Sequence, residues 1–215
     1  MIPLLHDFEA ETVLVFGGGS VGARKARRFA SEAEVVVVSP AFGDREFGDA
    51  RLVRAAPDAE AAGEWIARAD PALVVAATDD ADLNAAAAAA ARETGALVNR
   101  ADDHGGQDFG DVVVPATVRD GPVTVAVATG GRSPALSKHL RQRFEDEFAG
   151  AGEMAALTGE LREELRAAGV PPEERRDAVR RVVRADEVWK ALDSGASNAR
   201  QVADTVIGDH SGDSA

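Results

Sequence analysis

Three glycines at the end of an apolar strand have the spacing of a phosphate-binding turn. Gly17, Gly19 and Gly22 follow the strand-like run at residues 12–16, and a helical stretch and a second apolar run, residues 35–38, come next. Gly17 permits the tight turn, Gly19 lets the backbone approach a pyrophosphate, and Gly22 lets the helix pack closely on a sheet.

The helix that begins at this turn supplies the binding groups. Ser20 and Val21 lie in its first turn, where backbone N–H groups have no partner within the helix and the helix dipole is positive. The pattern therefore predicts a dinucleotide-binding βαβ unit. The alternative is a glycine-rich turn that binds nothing.

A second chemical signal is a basic segment in an acidic chain. Residues 121–144 contain no Asp or Glu, whereas the chain average, 37 in 215, would place roughly four there. The segment carries Arg132, Lys138, Arg141 and Arg143, and Ser133 is placed to cap a helix that begins at Pro134. These residues favour an anionic substrate. The alternative is a solvated helix face whose charges pair with the acids at residues 145–147.

Around these sites, apolar runs alternate with helical stretches. Strands are predicted near residues 12–16, 35–38, 52–54, 72–77 and 96–99, and helices over 20–31, 58–68 and about 81–94. We expect an α/β fold with a Rossmann-like, doubly wound parallel sheet over residues 1–110. A β-hairpin and a helix over residues 111–150, a helical domain over 151–207 and a disordered tail over 208–215 follow, and Pro115 and Pro122 predict irregular pairing in the hairpin.

Composition narrows the possible partners. The net charge of −13 disfavours nucleic acid and anionic membranes, and is also typical of proteins that work in concentrated salt. The chain has no cysteine, no basic and apolar leader and no long apolar run, which favours a soluble protein of a reducing cytoplasm. No protein-built metal site is visible.

Taken in order, the motifs resemble a known family. They are Pro3-Leu4, the glycine turn followed by Arg24-Lys25, Val37-Val38-Ser39-Pro40, Ala76-Ala77-Thr78-Asp79-Asp80 with Asn84, Val98-Asn99-Arg100-Ala101-Asp102-Asp103, Val114-Pro115-Ala116 and Thr129-Gly130-Gly131-Arg132-Ser133-Pro134-Ala135. This order is similar to that of precorrin-2 dehydrogenases, the NAD-dependent module of siroheme synthesis. That module occurs alone or fused to a methyltransferase, and the resemblance is strongest over residues 1 to about 150.

The resemblance implies oxidation of precorrin-2 to sirohydrochlorin with NAD as acceptor and, in some members, Fe(II) insertion to give siroheme. The family's important aspartate falls on Asp102, where a base would serve proton removal in both reactions. The alternative is that Asp102 is one more surface acid. We expect Asn99, Arg132, Ser133 and Lys138 to contact the substrate, which carries eight carboxylates.

The expected cofactor contacts depart from a common pattern. Most NAD sites place an acid after the second strand, whereas this chain has Ser39, Pro40 and Ala41 there. We predict that these three residues and Thr78 bind NAD, although Arg45 is suited to a 2′-phosphate. His104 is interpreted as a solvated loop residue rather than an iron ligand.

Family members pair through the hairpin and helical parts, so we expect a homodimer in which one subunit's Ser133 helix completes the other's site. A different class of function also fits part of the sequence. A nucleotide-sensing regulatory domain would explain the glycine turn and the small size. It would not explain Asp102 in its context or the acid-free segment.

Overall fold

The computed structural model describes residues 2–101, 111–192 and 194–208. The chain divides into two compact units, Met1–Val114 and Pro115–Ala215. The predicted boundary at residue 110 lies four residues earlier. Val112 and Val114 pack against the core of the first unit, and this packing extends the unit beyond the prediction.

The first unit is built on a five-stranded parallel sheet, which confirms the predicted fold class. Its strands are β1 (Thr12–Phe16), β2 (Glu34–Ser39), β3 (Arg51–Arg54), β4 (Leu73–Ala76) and β5 (Leu97–Arg100), in the spatial order β3-β2-β1-β4-β5. The order reverses between β1 and β4. In such sheets, the carboxyl ends of the strands at the reversal form the ligand-binding crevice.

Three helices cover the two faces of this sheet: α1 (Ser20–Phe29), α2 (Ala62–Ala69) and α3 (Ala81–Thr94). Alternate residues of the central strands point to opposite faces, so Val13 and Val15 join the core on the α1 side while Leu14 and Phe16 join the core that includes α2 and α3. Both faces are buried, which explains why these strands read as continuous apolar runs.

The ends of the helices follow local chemistry. Asp80 caps α3 by accepting hydrogen bonds from the N–H groups of Asp82 and Leu83, and Gly95, with φ of 83°, ends the helix as predicted. The prediction that α2 starts at Asp58 was wrong. The Asp58 carboxylate instead accepts a hydrogen bond from the N–H of Ala61, which stabilises a turn ahead of the helix.

The second unit begins with an antiparallel hairpin, β6 (Ala116–Asp120) and β7 (Val123–Val127), followed by α4 (Pro134–Glu147). The expectation of irregular pairing was wrong, since all five residues of one strand pair in register with the other. Pro115 precedes the paired residues and Pro122 lies in the two-residue turn, so neither proline removes a ladder hydrogen bond.

Four helices complete the second unit: α5 (Ala151–Ala167), α6 (Pro172–Arg184), α7 (Asp186–Leu192) and α8 (Ala196–Gly208). They share an apolar core that includes Met154, Leu161 and Val182. At its start, α5 contacts the hairpin, where the N–H of Gly152 donates to the Asp120 carboxylate at 2.9 Å. Gly208, predicted to begin a disordered tail, is instead the last residue of α8.

None of the described helices has the length and apolar character needed to cross a membrane.

Candidate functional site

A crevice of about 570 Å³ opens at the carboxyl ends of β1, β2 and β4 in the first unit. The reversal of strand order between β1 and β4 therefore coincides with a cavity. The loop after β1 forms its floor and the loops after β2 and β4 form its sides. The predicted cofactor residues that line it are Gly17, Gly19, Ser39, Pro40, Ala41 and Thr78.

The glycine turn is packed so tightly that two of its residues cannot carry a side chain. Gly17 has φ of 114°, and a Cβ atom there would lie 2.3 Å from the carbonyl oxygen of Ala77. A Cβ atom on Gly18 would lie 2.2 Å from the carbonyl oxygen of Ala41. Gly18 was missed by the sequence analysis, because the motif leaves that position free. The run of three glycines is the signal that could have identified it.

The two remaining motif glycines, Gly19 and Gly22, differ in what surrounds them. A Cβ atom on Gly22 would lie 1.9 Å from the carbonyl oxygen of Gly17, so Gly22 is required for α1 to pack against its own turn. A Cβ atom on Gly19 meets nothing within 4 Å, and φ of −75° is open to any residue. Packing within the protein therefore does not require glycine at position 19, and the open backbone there is accessible to a ligand.

The N-terminus of α1 is available to an anion. Its N-cap is Gly19, no side chain caps it, and its first turn contains no acid. By contrast, Asp80 caps α3 and Ser133 caps α4. Ser20 is exposed and Val21 half-buried, and both lie in the uncapped first turn. Free N–H groups, a positive dipole end and an open Gly19 fit the pyrophosphate of a dinucleotide.

The end of β2 presents no carboxylate to the crevice. The buried Ser39 hydroxyl donates to the carbonyl oxygen of Ala41 at 2.8 Å, so it shapes this turn. The Arg54 guanidinium donates to the carbonyl oxygen of Pro40 at 3.2 Å and so holds the same turn from outside. Arg45 lines the crevice beyond it.

On the β4 side, a buried amide holds the loop that carries Thr78. The side-chain oxygen of Asn84 accepts from the Thr78 hydroxyl at 2.7 Å and from its N–H at 3.1 Å, and the Asn84 amide donates to the Thr78 carbonyl at 2.9 Å. Asn84 is 1% exposed. The sequence analysis did not predict it as a site residue, although a single amide in an alanine-rich helix was a usable signal.

At β5, the buried Asn99 joins the strand to the chain segment that returns beside it. Its side-chain amide donates to the carbonyl oxygen of Val112 at 2.7 Å. Its side-chain oxygen is buried and has no hydrogen-bond partner among the described residues. Asp102, the predicted base, and His104 lie outside the described residues.

The remaining predicted substrate residues lie in the second unit. Ser133 is the N-cap of α4, as predicted, and its hydroxyl accepts from the N–H of Leu136 at 3.3 Å. Arg132 and Lys138 are exposed, and the described residues include no ion-pair partner for either. Arg141 and Arg143 pair with Glu145 and Glu147 one turn later. Among the described residues, the basic segment therefore divides into a half without ion-pair partners near the N-terminus of α4 and a paired half near its end.

Comparisons with known proteins fit this arrangement. A family model described as NAD(P)-binding matches residues 4–116, and one for the central part of sirohaem biosynthesis proteins matches residues 120–147. The first unit is therefore of the NAD(P)-binding α/β class, with a crevice where that class binds its nicotinamide cofactor.

The full chain is similar to a smaller group within this class. It is 32% identical over 219 residues to a precorrin-2 dehydrogenase of Methanosarcina barkeri, with 96% of this chain and 93% of the relative covered. It is 33% identical to siroheme synthase 1 of Aeromonas salmonicida over 98% of this chain but only 45% of that protein. The chain belongs to the precorrin-2 dehydrogenase family.

A solved structure supports the fold over almost the whole length. The precorrin-2 dehydrogenase SirC matches with a TM-score of 0.65 at 20% identity, over 95% of this chain and all of SirC. The likeness extends past the NAD(P)-binding sheet into the hairpin and helices. The siroheme synthases compared are about twice as long as this chain, which corresponds to one part of them.

Proposed function

We propose that this protein catalyses the NAD-dependent oxidation of precorrin-2 to sirohydrochlorin. The observation that carries this proposal is the match to a precorrin-2 dehydrogenase along 93% of that protein's length and 96% of this chain. The crevice at the strand reversal supplies the matching place for a nicotinamide cofactor.

The reaction removes one hydride and one proton from the macrocycle. When bound, NAD accepts the hydride at its nicotinamide ring. The N-terminus of α1 holds the pyrophosphate through backbone N–H groups. Beneath it, Gly17 and Gly18 pack closely against the backbone of the neighbouring loops and so form the floor of the crevice. The loops at Ser39–Ala41 and at Thr78 hold the two halves of the dinucleotide in line with the edge of the sheet.

We infer that NAD rather than NADP is the physiological acceptor, in keeping with the resemblance to NAD-dependent family members. Ser39, Pro40 and Ala41 offer a carboxylate-free turn to the adenosine ribose. Arg45 lines the same crevice, and its positive charge is suited to a 2′-phosphate. The dissociation constant for NADP therefore shows how much this charge contributes to cofactor binding. A dissociation constant for NADP lower than that for NAD would contradict this inference.

The proton is proposed to leave to Asp102, on the residue-by-residue resemblance to the family. Asn99 supports this proposal indirectly. It lies two residues before Ala101, the last described residue ahead of residue 102, and its hydrogen bond to the Val112 carbonyl ties the end of β5 to the segment at Val112. Removing a C–H proton requires a base positioned within hydrogen-bond reach, which a fixed strand end favours.

Precorrin-2 needs cationic partners in a protein with a net charge of −13. Arg132 and Lys138 are proposed to bind its carboxylates, because neither has an ion-pair partner among the described residues, whereas Arg141 and Arg143 pair with Glu145 and Glu147. Ser133 contributes by starting the helix, whose first-turn N–H groups face the same anions.

A homodimer formed through the hairpin and α4 is proposed as the working unit. Within one chain α4 buries none of its residues, and Leu136 and Phe148 each remain 47% exposed. Exposed apolar side chains of this size on one helix favour a contact with a second copy of the chain. Light scattering at micromolar concentration should give twice the mass of 22.3 kDa, and a monomer would contradict the proposal.

Fe(II) insertion stays a prediction from the resemblance. The described residues contain no group of three or more His, Asp or Glu side chains able to hold a metal ion.

The direct test is incubation with NAD and precorrin-2. The absorption spectrum of sirohydrochlorin should appear together with NADH absorbance, in equal amounts. A protein that binds NAD but produces neither would instead be the nucleotide-sensing regulatory domain.

A further inference from the structure

Two carboxylates line the crevice on its β4 side. Asp79 and Asp80 follow β4 and are the acids among the described residues that line this cavity. Asp44, the first acid after β2, is not among the lining residues. Dinucleotide sites commonly use a carboxylate to accept hydrogen bonds from the hydroxyl groups of a ribose. The described part of this crevice therefore offers such an acceptor after β4 instead of after β2.

Thr78 and Asp80, the other described polar side chains on this side of the crevice, are engaged within their own loop. The Thr78 hydroxyl donates to the side-chain oxygen of Asn84 at 2.7 Å and accepts from the N–H of Asp80 at 3.2 Å. One carboxylate oxygen of Asp80 accepts from two N–H groups in the first turn of α3, both at 3.0 Å, so this carboxylate is held at the end of the helix. Asp79 is the remaining described acceptor on this side.

The backbone that carries Asp79 is fixed on several sides. Before it, the buried Asn84 accepts from the N–H of Thr78 at 3.1 Å and donates to the Thr78 carbonyl at 2.9 Å. The N–H of Ala77 donates to the carbonyl oxygen of Phe16, the last residue of β1, at 2.9 Å. The residue after Asp79 caps α3. The loop is therefore held in place before a ligand arrives, which reduces the cost of ordering it on binding.

The position of this loop indicates which ribose it meets. A Cβ atom on Gly17 would lie 2.3 Å from the Ala77 carbonyl oxygen, so the loop touches the glycine turn that is suited to the pyrophosphate. Asp79 lies two residues further along the chain, on the β4 side of the strand reversal. The adenosine half of a dinucleotide lies at the end of β2, so the ribose on the β4 side is the one that carries nicotinamide.

We propose that Asp79 binds the nicotinamide ribose of the cofactor by accepting hydrogen bonds from its hydroxyl groups. This inference rests on the proposed function and deepens it, because it assigns a residue to the half of the cofactor that reacts. Hydrogen bonds to a carboxylate are about twice as strong as those between neutral groups, and they offset the repulsion between Asp79 and the pyrophosphate. A ribose held in this way orients the nicotinamide ring toward the substrate.

Two nucleotides that differ by the second ribose test this role. ADP-ribose contains the pyrophosphate and both riboses, whereas ADP ends at the pyrophosphate. In the full-length protein, Asp79→Ala should raise the dissociation constants for ADP-ribose and NAD about 10- to 100-fold in calorimetric titrations. The dissociation constant for ADP should stay unchanged or fall by up to about threefold, because removal of a negative charge favours an anion. Asp79→Asn, which keeps an acceptor oxygen, should lose less affinity for ADP-ribose than Asp79→Ala.

Asp82→Ala is the matched control. Asp82 is an exposed acid in the first turn of α3 and is not among the residues that line the crevice. Its replacement should change the dissociation constant for ADP-ribose by no more than about twofold, because solvent screens an exposed charge. Thermal unfolding of each variant shows whether the fold is retained.

These titrations need no turnover. If the wild type binds ADP-ribose but does not oxidise precorrin-2, the proposed function fails while the role of Asp79 is still tested. An Asp79→Ala protein that binds ADP-ribose as tightly as the wild type would overturn the inference. An equal rise in the dissociation constants for ADP and ADP-ribose would also overturn it, because Asp79 would then act on the adenosine half. A wild type that binds neither nucleotide would contradict the cofactor site and this inference with it.

Discussion

Replacing Gly19 by valine separates binding of the dinucleotide from folding of the turn that holds it. The backbone at Gly19 has φ of −75°, and a Cβ atom there meets no protein atom within 4 Å. The free energy of unfolding should therefore fall by no more than about 1 kcal/mol, the cost of replacing glycine with a poorer N-cap residue. A pyrophosphate held at the N-terminus of α1, however, would need the space that the new side chain fills.

The expected loss of affinity follows from the uncapped helix end. Hydrogen bonds to a charged group contribute roughly 1.5–3 kcal/mol each, so losing two such bonds from first-turn N–H groups costs at least about 3 kcal/mol. That corresponds to a rise of about two decades in the NAD dissociation constant. Calorimetric titration with NAD and thermal unfolding of the same preparation measure the two effects together.

Two matched variants show what other outcomes would mean. Gly18→Ala should lose both stability and affinity, because its Cβ atom would lie 2.2 Å from the Ala41 carbonyl oxygen. Gly95→Ala, at the end of α3, should reduce stability alone, since φ of 83° strains any side chain there. A folded Gly19→Val protein with unchanged NAD affinity would show that the turn serves only the fold.

Five further variants address the rest of the site. Asp102→Ala should lower turnover of precorrin-2 about 10²- to 10⁴-fold with NAD affinity within a few-fold, and near-normal turnover would remove Asp102 as the base. Arg132→Ala and Lys138→Ala should each raise the precorrin-2 Michaelis constant by one to two decades, whereas Arg143→Ala, already paired with Glu147, should not. If Arg132→Ala and Lys138→Ala both leave the precorrin-2 Michaelis constant unchanged while the dimer dissociates, these two charges belong to the subunit interface. Asn84→Ala should lower the free energy of unfolding by about 1–3 kcal/mol, measured by urea titration, because the Thr78 N–H loses its acceptor.

The sequence predicted best those features that depend on neighbouring residues. The periodicity of β1 and β2, the cap at Ser133 and the glycine at the end of α3 depend on residues a few positions apart, and the structure confirms them. The predicted start of α2 was wrong for a reason that also involves residues a few positions apart. Asp58 is suited to both a helix cap and an isolated turn, and tertiary packing decides between the two.

Features that depend on distant residues could not be read from local pattern. Gly18 is required because the turn at Ala41 meets it, and a sequence does not show which carbonyl approaches which glycine. The hydrogen bond of Asn99 could not be predicted for the same reason, since its partner is Val112, thirteen residues away. The Gly18 contact joins two loops that line the crevice, whereas Asn99 and Val112 are not among its lining residues. The shape of the crevice thus depends on a long-range backbone contact as well as on the motif, so substitutions at Gly18 are expected to affect the site as strongly as substitutions within the recognised motif.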